Sequence, residues 1–202
     1  MAWDKERTKS LLLAAATIEF CRYGLAGGRV DRIAKIAGVN KERIYQYFGK
    51  KEQLFDAVVA SQLRLVMDEI QIEGEGPEAI ADYAGRLFSR HCADPTLPRL
   101  LFWEGLDRGE LMVDREAREA NSAHKIARVM EALPGVTEED AADLLLTIIA
   151  LCDSWAVLPE MDGLFAREGS GRAERRRVAV VNTVRMAAQA LISDDGGPAA
   201  GR

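Results

Sequence analysis

Apolar residues recur every three or four positions along almost the whole chain, which is the spacing that places them on one face of an α-helix. No stretch alternates apolar and polar residues for long enough to predict a sheet. Alanine, leucine, glutamate and arginine dominate these segments. We therefore predict an all-α fold of about nine helices. The predicted helices span 5–23, 29–37, 41–48, 51–72, 77–92, 95–109, 115–133, 138–158 and 172–192, with a loop at 159–171.

Length and composition exclude several classes of protein. The chain has 202 residues, of which 48% are hydrophobic and 29% charged, so it can bury a core and is not a disordered tail. Its longest nearly unbroken apolar run, Leu144–Cys152, is too short to cross a membrane, and the first residues lack a secretory signal pattern. The three cysteines are far apart and odd in number, as expected of reduced thiols. These observations predict a cytoplasmic protein with no membrane segment, no metal and no other cofactor.

Positive charge is concentrated near the start of the chain. Residues 1–60 hold eleven Lys or Arg against seven Asp or Glu, although the whole chain has a formal net charge of −5. Electrostatic attraction acts locally, so a basic N-terminal unit on an acidic body can still bind the phosphates of a nucleic acid.

Residues 29–51 are the most informative segment. Two short predicted helices are joined by Ala-Gly-Val-Asn at 37–40, and Gly38 supplies the conformational freedom that such a tight turn needs. Asn40 is predicted to cap the second helix. This arrangement is typical of a helix-turn-helix, whose second helix fits the major groove of DNA.

The second helix of this segment has two distinct faces. At 100° per residue, Ile44 and Phe48 fall on one side and are predicted to pack against the first two helices. The outward face and its edges then carry Glu42, Arg43, Tyr45, Gln46 and Tyr47. Arginine pairs well with guanine and glutamine with adenine, while lysine and tyrosine tips can hold phosphates. The Glu42 carboxylate repels phosphate, so it either accepts from a cytosine amine or serves the helix N-terminus.

Three segments near the start of the chain share a recognisable pattern of residue types at fixed spacings, with glycines that interrupt the predicted helices. They read Phe-Cys-Arg-Tyr-Gly-Leu at 20–25, Val-Asp-Arg-Ile-Ala-Lys-Ile-Ala-Gly-Val at 30–39, and Ile-Tyr-Gln-Tyr-Phe-Gly-Lys-Lys-Glu-Gln-Leu at 44–54. Over residues 8–58 the chain resembles the N-terminal domain of tetracycline-repressor-like (TetR-family) transcriptional regulators. The resemblance implies an all-helical homodimer that binds DNA with three N-terminal helices and a small ligand with a larger C-terminal domain.

The resemblance also implies domain boundaries and DNA contacts. Residues 1–50 would form the helix-turn-helix DNA-binding domain and residues 51–202 the helical effector-binding and dimerisation domain, linked by the helix at 51–72. The implied DNA-binding residues are Arg29, Lys41, Arg43, Tyr45, Gln46, Tyr47 and Lys51. Two positions depart from the family's pattern. Gly28 stands where a capping Thr or Ser is common, and Lys50 stands where Ser or Asn is common.

In this family the ligand lies among the central helices, so the resemblance directs attention to residues 83–155. The candidate ligand-binding residues are Tyr83, Phe88, Phe102, Trp103, His124 and Trp155. Each aromatic side chain taken alone is more typical of an ordinary core. His91 and Cys92 are adjacent, so they diverge by about 100° on a helix, and no third ligand has a zinc-like spacing.

The last two predicted helices carry strongly apolar faces. A buried pair within one subunit would explain these faces, and so would a four-helix interface between two subunits. The resemblance favours the interface, and a lone helix-turn-helix reads only a short site, so we expect a homodimer through these helices. The last helix opens with a basic cluster, expected to be a solvated face or a set of ion-pair partners: Arg172, Arg175, Arg176 and Arg177.

These features predict a sequence-specific DNA-binding transcriptional regulator, specifically a repressor that an unknown small-molecule effector releases from a palindromic double-stranded DNA operator. A DNA-binding protein that responds to no ligand is the alternative. A helical enzyme would need a nucleophile–base pair or a ligand set, and the two histidines have no recognisable partners. We therefore expect no enzymatic activity and assign no catalytic residue.

Overall fold

Ten helices make up almost all of the structure, a computed structural model that describes residues 2–109, 111–165 and 171–194. Those ranges contain no strand, and the predicted all-α fold is confirmed. In chain order the helices are α1 (Ala2–Gly27), α2 (Val30–Ala37), α3 (Lys41–Phe48), α4 (Lys51–Glu69), α5 (Gly76–Ala93), α6 (Thr96–Arg108), α7 (Arg115–Ala132), α8 (Glu138–Val157), α9 (Pro159–Phe165) and α10 (Arg172–Asp194).

The helix α9 was not expected from the sequence. The prediction of a loop over 159–171 is wrong in its first half, and residues 166–170 lie outside the described ranges. Proline suits the first position of a helix, where its missing N–H costs nothing. Glu160 and Asp162 follow in the first turn, where negative charge favours the helix dipole.

The helix α4 ends at Glu69, three residues before its predicted end. Ile70 and Ile72 are both buried although they are only two positions apart. That spacing places two side chains on the same side of an extended segment but on different sides of a helix. Burial of both isoleucines therefore favours extended backbone here over a further helical turn.

Two compact units make up the chain, and each is described by itself. Unit 1 comprises Met1–Val66 and Thr96–Arg115, and unit 2 comprises Met67–Pro95 and Glu116–Arg202. In unit 1, α1 packs against α2 and α6. The Phe20 ring of α1 is fully buried and meets the Phe55 ring of α4 edge-on, with 5.2 Å between the ring centroids.

The helix α6 joins unit 1 through polar contacts with the end of α1. Gly24 breaks the helical path there, with φ 66° and ψ −174°. Beside this break the Cys21 carbonyl oxygen accepts a hydrogen bond of 3.2 Å from the Trp103 indole. The Ala26 N–H donates to Asp107 Oδ2 at 3.0 Å. Backbone groups at a helix end lack intrahelical partners, and α6 supplies some of those partners.

Gly28 packs so closely on α1 that a side chain does not fit. A Cβ atom there would lie 2.7 Å from ring atoms of Phe20 and 2.9 Å from the Gly24 carbonyl oxygen. Because Phe20 is fully buried, its ring cannot move aside without disturbing the core. The close packing gives a physical reason for glycine at a position where the TetR pattern often has a capping Thr or Ser. The N-cap of α2 is instead Arg29, whose side chain makes no capping hydrogen bond.

In unit 2, α5, α8 and α10 pack together around one core. Its most completely buried apolar side chains include Ile80, Ala84 and Phe88 of α5, Ile148 and Cys152 of α8, and Val180, Val184 and Ala188 of α10. Gly85 lets α5 and α10 approach closely, because a Cβ atom there would lie 2.9 Å from Val181 Cγ2.

The Thr137 side chain caps the start of the helix α8. Thr137 Oγ1 accepts a hydrogen bond of 3.1 Å from the Asp140 N–H and donates one of 2.8 Å to the Asp140 carboxylate.

No single helix in the described ranges is long and apolar enough to cross a membrane. Only α8 and α9 taken together, across a bend of 89°, reach such a length.

We predict that Gly28→Ala lowers the free energy of unfolding by about 1–3 kcal/mol, the usual cost of forcing extra atoms into a packed core. Urea unfolding of the full chain, followed by circular dichroism, measures this change. Gly105→Ala in α6 is the matched control, because nothing lies within 4 Å of a Cβ atom there. Alanine should leave α6 unchanged or more stable by up to about 1 kcal/mol. A Gly28→Ala variant as stable as the parent would contradict the packing described.

Candidate nucleic-acid interface

The turn between α2 and α3 has the geometry that its sequence predicts. Gly38 adopts the left-handed conformation, with φ 66° and ψ 29°, and its N–H points to the carbonyl oxygens of Ala34 and Lys35. The Asn40 side chain accepts a hydrogen bond of 3.4 Å from the Glu42 N–H and so caps α3. These two caps end one helix and start the next across a short turn, which produces a helix-turn-helix.

The polar face of α3 is turned to solvent. Ile44 is 0% exposed, and Phe48 is half-buried. Arg43 and Gln46 are exposed, and the Tyr45 side chain beside them is 50% exposed. The predicted orientation of α3 is therefore confirmed. Burial of Ile44 holds a guanidinium and an amide outward on the opposite side of the helix.

Two polar contacts order the side chains around this face. Lys41 Nζ lies 2.8 Å from Asp31 Oδ1 on α2, and this hydrogen bond raises the pKa of Lys41. Arg43 Nη1 donates a hydrogen bond of 3.0 Å to Tyr47 Oη. Ion pairs this exposed contribute little to stability, so a phosphate can replace the Lys41 partner at small cost.

Lys51, the first residue of α4, reaches back to the junction between α1 and α2. Its ammonium donates to the carbonyl oxygens of Gly28 at 3.3 Å and Ala26 at 3.5 Å. Arg29 is exposed at the start of α2. Both cations therefore lie at helix N-termini, where backbone N–H groups and the helix dipole also favour anions.

The N-terminus of α4 is capped from within the helix. Gln53 Oε1 accepts a hydrogen bond of 2.8 Å from the Lys50 N–H. A side chain at the third helical position reaches back in the same way in a capping box. The cap therefore does not need a Ser or Asn at position 50, and the exposed Lys50 side chain adds a positive charge next to Lys51.

A buried carboxylate, Glu19 of α1, holds α2 in place. Glu19 is only 2% exposed, and its Oε1 accepts hydrogen bonds of 2.8 Å from the Arg29 N–H and from Arg32 Nε. The Arg32 guanidinium also donates to the Gly27 carbonyl oxygen at 3.1 Å and lies over the Tyr23 ring, 4.3 Å from its centroid. The Glu19 carboxylate therefore binds both the backbone at the start of α2 and the Arg32 side chain on that helix.

The electrostatic balance at Glu19 favours its charged form. Burial raises the pKa of Glu19, but hydrogen bonds from the Arg32 side chain and the Arg29 N–H outweigh burial and bring the pKa below its ordinary value. Our sequence reasoning missed this residue. Its spacing was the available signal, because Glu19 follows the apolar Leu12 and Ala16 at intervals that place all three on one face of α1.

Two of the six predicted ligand-binding residues, Phe102 and Trp103, lie on α6 in unit 1. Trp103 is half-buried, and its indole N–H is bonded to the Cys21 carbonyl oxygen. Phe102 is exposed. The Trp103 indole therefore has a structural role in anchoring α6 to α1.

The other four predicted ligand-binding residues lie in unit 2. Tyr83 and Phe88 are buried on α5, and the Phe88 ring lies 6.0 Å from the ring of Trp155 on α8. His124 is exposed on α7. The residue after it, Lys125, was missed at the sequence level, and it donates a hydrogen bond of 2.9 Å to the Tyr83 hydroxyl.

Unit 2 has several cavities, and two of them are more enclosed than the two larger ones that Arg177 lines. One, of about 230 Å³, lies between α7 and α8 and is lined by residues that include Lys125, Leu146 and Ile149. Burial lowers the pKa of Lys125. The other cavity, of about 300 Å³, lies against Trp155 at the C-terminal end of α8 and extends to α9 and the start of α10. Trp155 thus lines a cavity, as the sequence-based hypothesis requires.

Other titratable groups in unit 2 are buried in its core. His91 Nδ1 lies 2.8 Å from Asp153 Oδ1, and both side chains are buried. Burial raises the pKa of the Cys152 thiol to about 12, which keeps the thiol protonated and unreactive. The described residues include no group of three His, Cys, Asp or Glu side chains that could hold a metal ion.

Family profiles match both parts of the chain. The family described as "Bacterial regulatory proteins, tetR family" matches residues 12–58, which contain α2, α3 and most of α1. The family described as "Tetracyclin repressor-like, C-terminal domain" matches residues 79–186. The first match covers the helix-turn-helix and the second covers most of unit 2.

Individual relatives agree with these profiles. The chain is 35% identical over 188 residues to the HTH-type transcriptional repressor SCO4008 of Streptomyces coelicolor, covering 91% of this chain and 96% of the relative. A solved structure of the putative transcriptional regulator SCO4942 of Streptomyces coelicolor superposes with a TM-score of 0.75 at 33% identity, covering 89% of this chain and 97% of that one. A putative TetR-family regulator from Mesorhizobium loti superposes with a TM-score of 0.60 at 26% identity, covering 89% and 96%.

We predict that Glu19→Gln unfolds at a lower urea concentration than the parent at pH 7, because a neutral amide cannot replace the carboxylate that binds Arg32 and Arg29. The folded-state pKa of Glu19 lies below its ordinary value of 4.5. Its contribution is therefore complete above that pH and is lost as the pH falls through the folded-state pKa. The urea midpoints of the two proteins should converge as the pH falls below 4.5 and through the folded-state pKa.

The control for this comparison is Glu73→Gln, which alters an exposed carboxylate outside the helices. It should match the parent at every pH. The prediction would be contradicted if the urea midpoint of Glu19→Gln stayed below that of the parent by the same amount from neutral to acidic pH. Such a result would show that the ionised carboxylate is not the stabilising species.

Proposed function

Because the chain belongs to the TetR family of transcriptional regulators, it is a DNA-binding regulator and not an enzyme, and we propose a specific way in which it works. Two subunits insert their α3 helices into successive major grooves of a palindromic operator, and a small-molecule effector releases them. The observation that carries this proposal is the outward face of α3. Arg43 and Gln46 are exposed on it, while Ile44 is buried beneath.

The exposed side chains divide into base readers and phosphate contacts. Arg43 is suited to guanine and Gln46 to adenine, because each presents two hydrogen-bonding groups to one base edge. The remaining contacts position the protein on phosphates without reading sequence, and we assign them to Arg29, Lys41, Tyr45, Tyr47 and Lys51. We accordingly assign residues 1–50 to DNA binding and residues 51–202 to effector binding and dimerisation.

Two subunits would join through α8 and α10. On α8, Leu146 is 66% exposed and Ile149 is 41% exposed, and on α10 Met186 is 62% exposed. An apolar surface of this kind is typical of a subunit interface, and in a two-fold dimer the same patch serves both partners. Such a dimer would present its two α3 helices about 34–36 Å apart, one turn of DNA.

The effector would act by changing that separation. We assign its site to unit 2, and α4 contributes residues to both units, so a shift of α4 can couple them. An effector changes operator affinity only if it binds one arrangement of the subunits more tightly than the other. Because bacterial transcriptional regulators bind DNA inside the cell, we propose that the protein acts in the cytoplasm.

We predict that Gln46→Ala relaxes base preference at one position in each operator half-site. Selection of bound duplexes from a random DNA pool, carried out with the parent and with the variant, measures this preference. The parent should recover an inverted repeat. The variant should recover the same repeat with one position degenerate, since a lost bidentate pair removes about 1–3 kcal/mol of discrimination.

The matched control is Gln62→Ala, which removes a half-buried amide from α4 rather than an exposed one from α3. It should select the same sequences as the parent. If Gln46→Ala also selected an unchanged sequence with every position intact, Gln46 would not read bases and the groove assignment would be wrong.

We predict that Leu146→Glu converts the dimer to a monomer, because it places two carboxylates in the apolar centre of the proposed interface. Light scattering on the eluting protein should show a fall from two chain masses to one. Leu106→Glu makes the same change at a residue of α6 that is 76% exposed, and it should leave the mass unchanged. A dimeric Leu146→Glu protein would contradict an interface through α8.

A further inference from the structure

The cavity beside Trp155 combines an apolar wall with a concentration of positive charge. Its lining includes the apolar side chains of Trp155 and Met161 and the charged side chains of Arg172 and Arg176. Its volume of about 300 Å³ lies at the small end of the range for ligand sites, roughly 300–1,000 Å³. All of these residues belong to unit 2.

The two arginines are arranged around the tryptophan ring. The guanidinium carbon of Arg172 lies 5.2 Å from the Trp155 ring centroid, and that of Arg176 lies 5.8 Å from it. Arg172 also pairs with Asp162 of α9, so one carboxylate faces two cations. The cavity therefore carries an excess of positive charge that a single anionic group would balance.

The position of these arginines on α10 is unfavourable for the helix itself. Arg172 is the first residue of α10 and Arg176 lies in its second turn, close to the positive end of the helix dipole. Cations normally favour the opposite end of a helix. An anion bound at this end would interact favourably with both guanidinium groups and with the dipole, which offsets the cost of their placement.

Both guanidinium groups also retain unmet hydrogen-bonding capacity. The Nε–H groups of Arg172 and Arg176 are buried, and neither has an acceptor among the residues that the structure describes. Buried donors usually have partners, and a donor left without one costs free energy. A carboxylate or sulfonate that reorders the two side chains can satisfy these donors in the bidentate manner typical of arginine.

The part of the lining that comes from α9 and the residue before it is largely apolar. Its exposed apolar side chains are Leu158, Met161 and Phe165. An uncovered apolar surface next to a cationic one suits a molecule with both characters. A neutral hydrocarbon would leave the arginines unbalanced, and an inorganic anion would leave this apolar lining uncovered.

We propose that the Trp155 cavity binds a small organic anion, in which an aromatic or branched apolar body packs on Trp155 and Met161 and a carboxylate or sulfonate pairs with Arg172 and Arg176. Binding of the anion is inferred from the cavity alone, and only its role as the effector rests on the proposed function. The α7–α8 cavity is a weaker candidate for the effector, because Leu146 and Ile149 of its lining belong to the apolar face assigned above to the dimer.

The test uses two probes of nearly the same shape, 1-naphthaleneacetate and its neutral amide, 1-naphthaleneacetamide. Isothermal titration of the full-length protein should give a Kd for the acid at least about tenfold lower than for the amide, because only the acid carries the charge. Arg176→Gln should reduce this ratio to near one, and Arg176→Lys should keep part of it.

The matched control is Arg175→Gln, which removes an equal charge from the same turn of α10 at an exposed residue outside the cavity lining. This variant should keep the full preference for the acid. Equal affinities of the acid and the amide for the parent protein would overturn the proposal, and so would an unchanged preference in Arg176→Gln. Operator selection without any probe tests the proposed function separately, so the two can fail independently.

Discussion

The ion pair between Glu19 and Arg32 is the interaction on which the DNA-binding surface depends. It ties α2 to α1 through a carboxylate that is 2% exposed, and the same carboxylate binds the Arg29 N–H at the start of α2. Because α2 is held at this point, the short turn at Gly38 places α3 so that Ile44 enters the core. The outward position of Arg43 and Gln46 follows from that burial. Because the Glu19 carboxylate is buried, leaving it without these donors would be costly, and this cost keeps α2 in place.

Local features of unit 1 could be predicted from the sequence, but contacts between distant residues could not. The turn at Gly38, the cap at Asn40 and the buried side of α3 depend on spacing within a few residues, and all three agree with the structure. The partners of Glu19 lie ten or more residues away, and the packing of α6 on α1 joins residues about eighty apart. Periodicity identifies a buried face but does not identify what covers it, so these contacts required the structure.

The residues that line a ligand site were even harder to predict from the sequence. The family resemblance directed attention to residues 83–155 and to six candidates there, of which Trp155 lines a cavity while the Trp103 indole binds a backbone carbonyl in unit 1. The positive charge of the Trp155 cavity comes from arginines that the sequence predicts to form a solvated face or a set of ion-pair partners. Their role depends on α9, a helix in a stretch predicted to be a loop. Its apolar side chains stay exposed next to the arginines, which gives this part of unit 2 the mixed character of a site for an amphipathic anion.

The central claim is that α3 enters the major groove of DNA in both subunits of a dimer, and methylation protection tests it most directly. Dimethyl sulfate modifies guanine N7 in the major groove and adenine N3 in the minor groove, so one reagent reports on both. On a duplex recovered by selection, bound protein should protect guanine N7 in two patches on one face of the DNA, centred about 10–10.5 base pairs apart. Protection confined to adenine N3, or a single protected patch, would contradict the account.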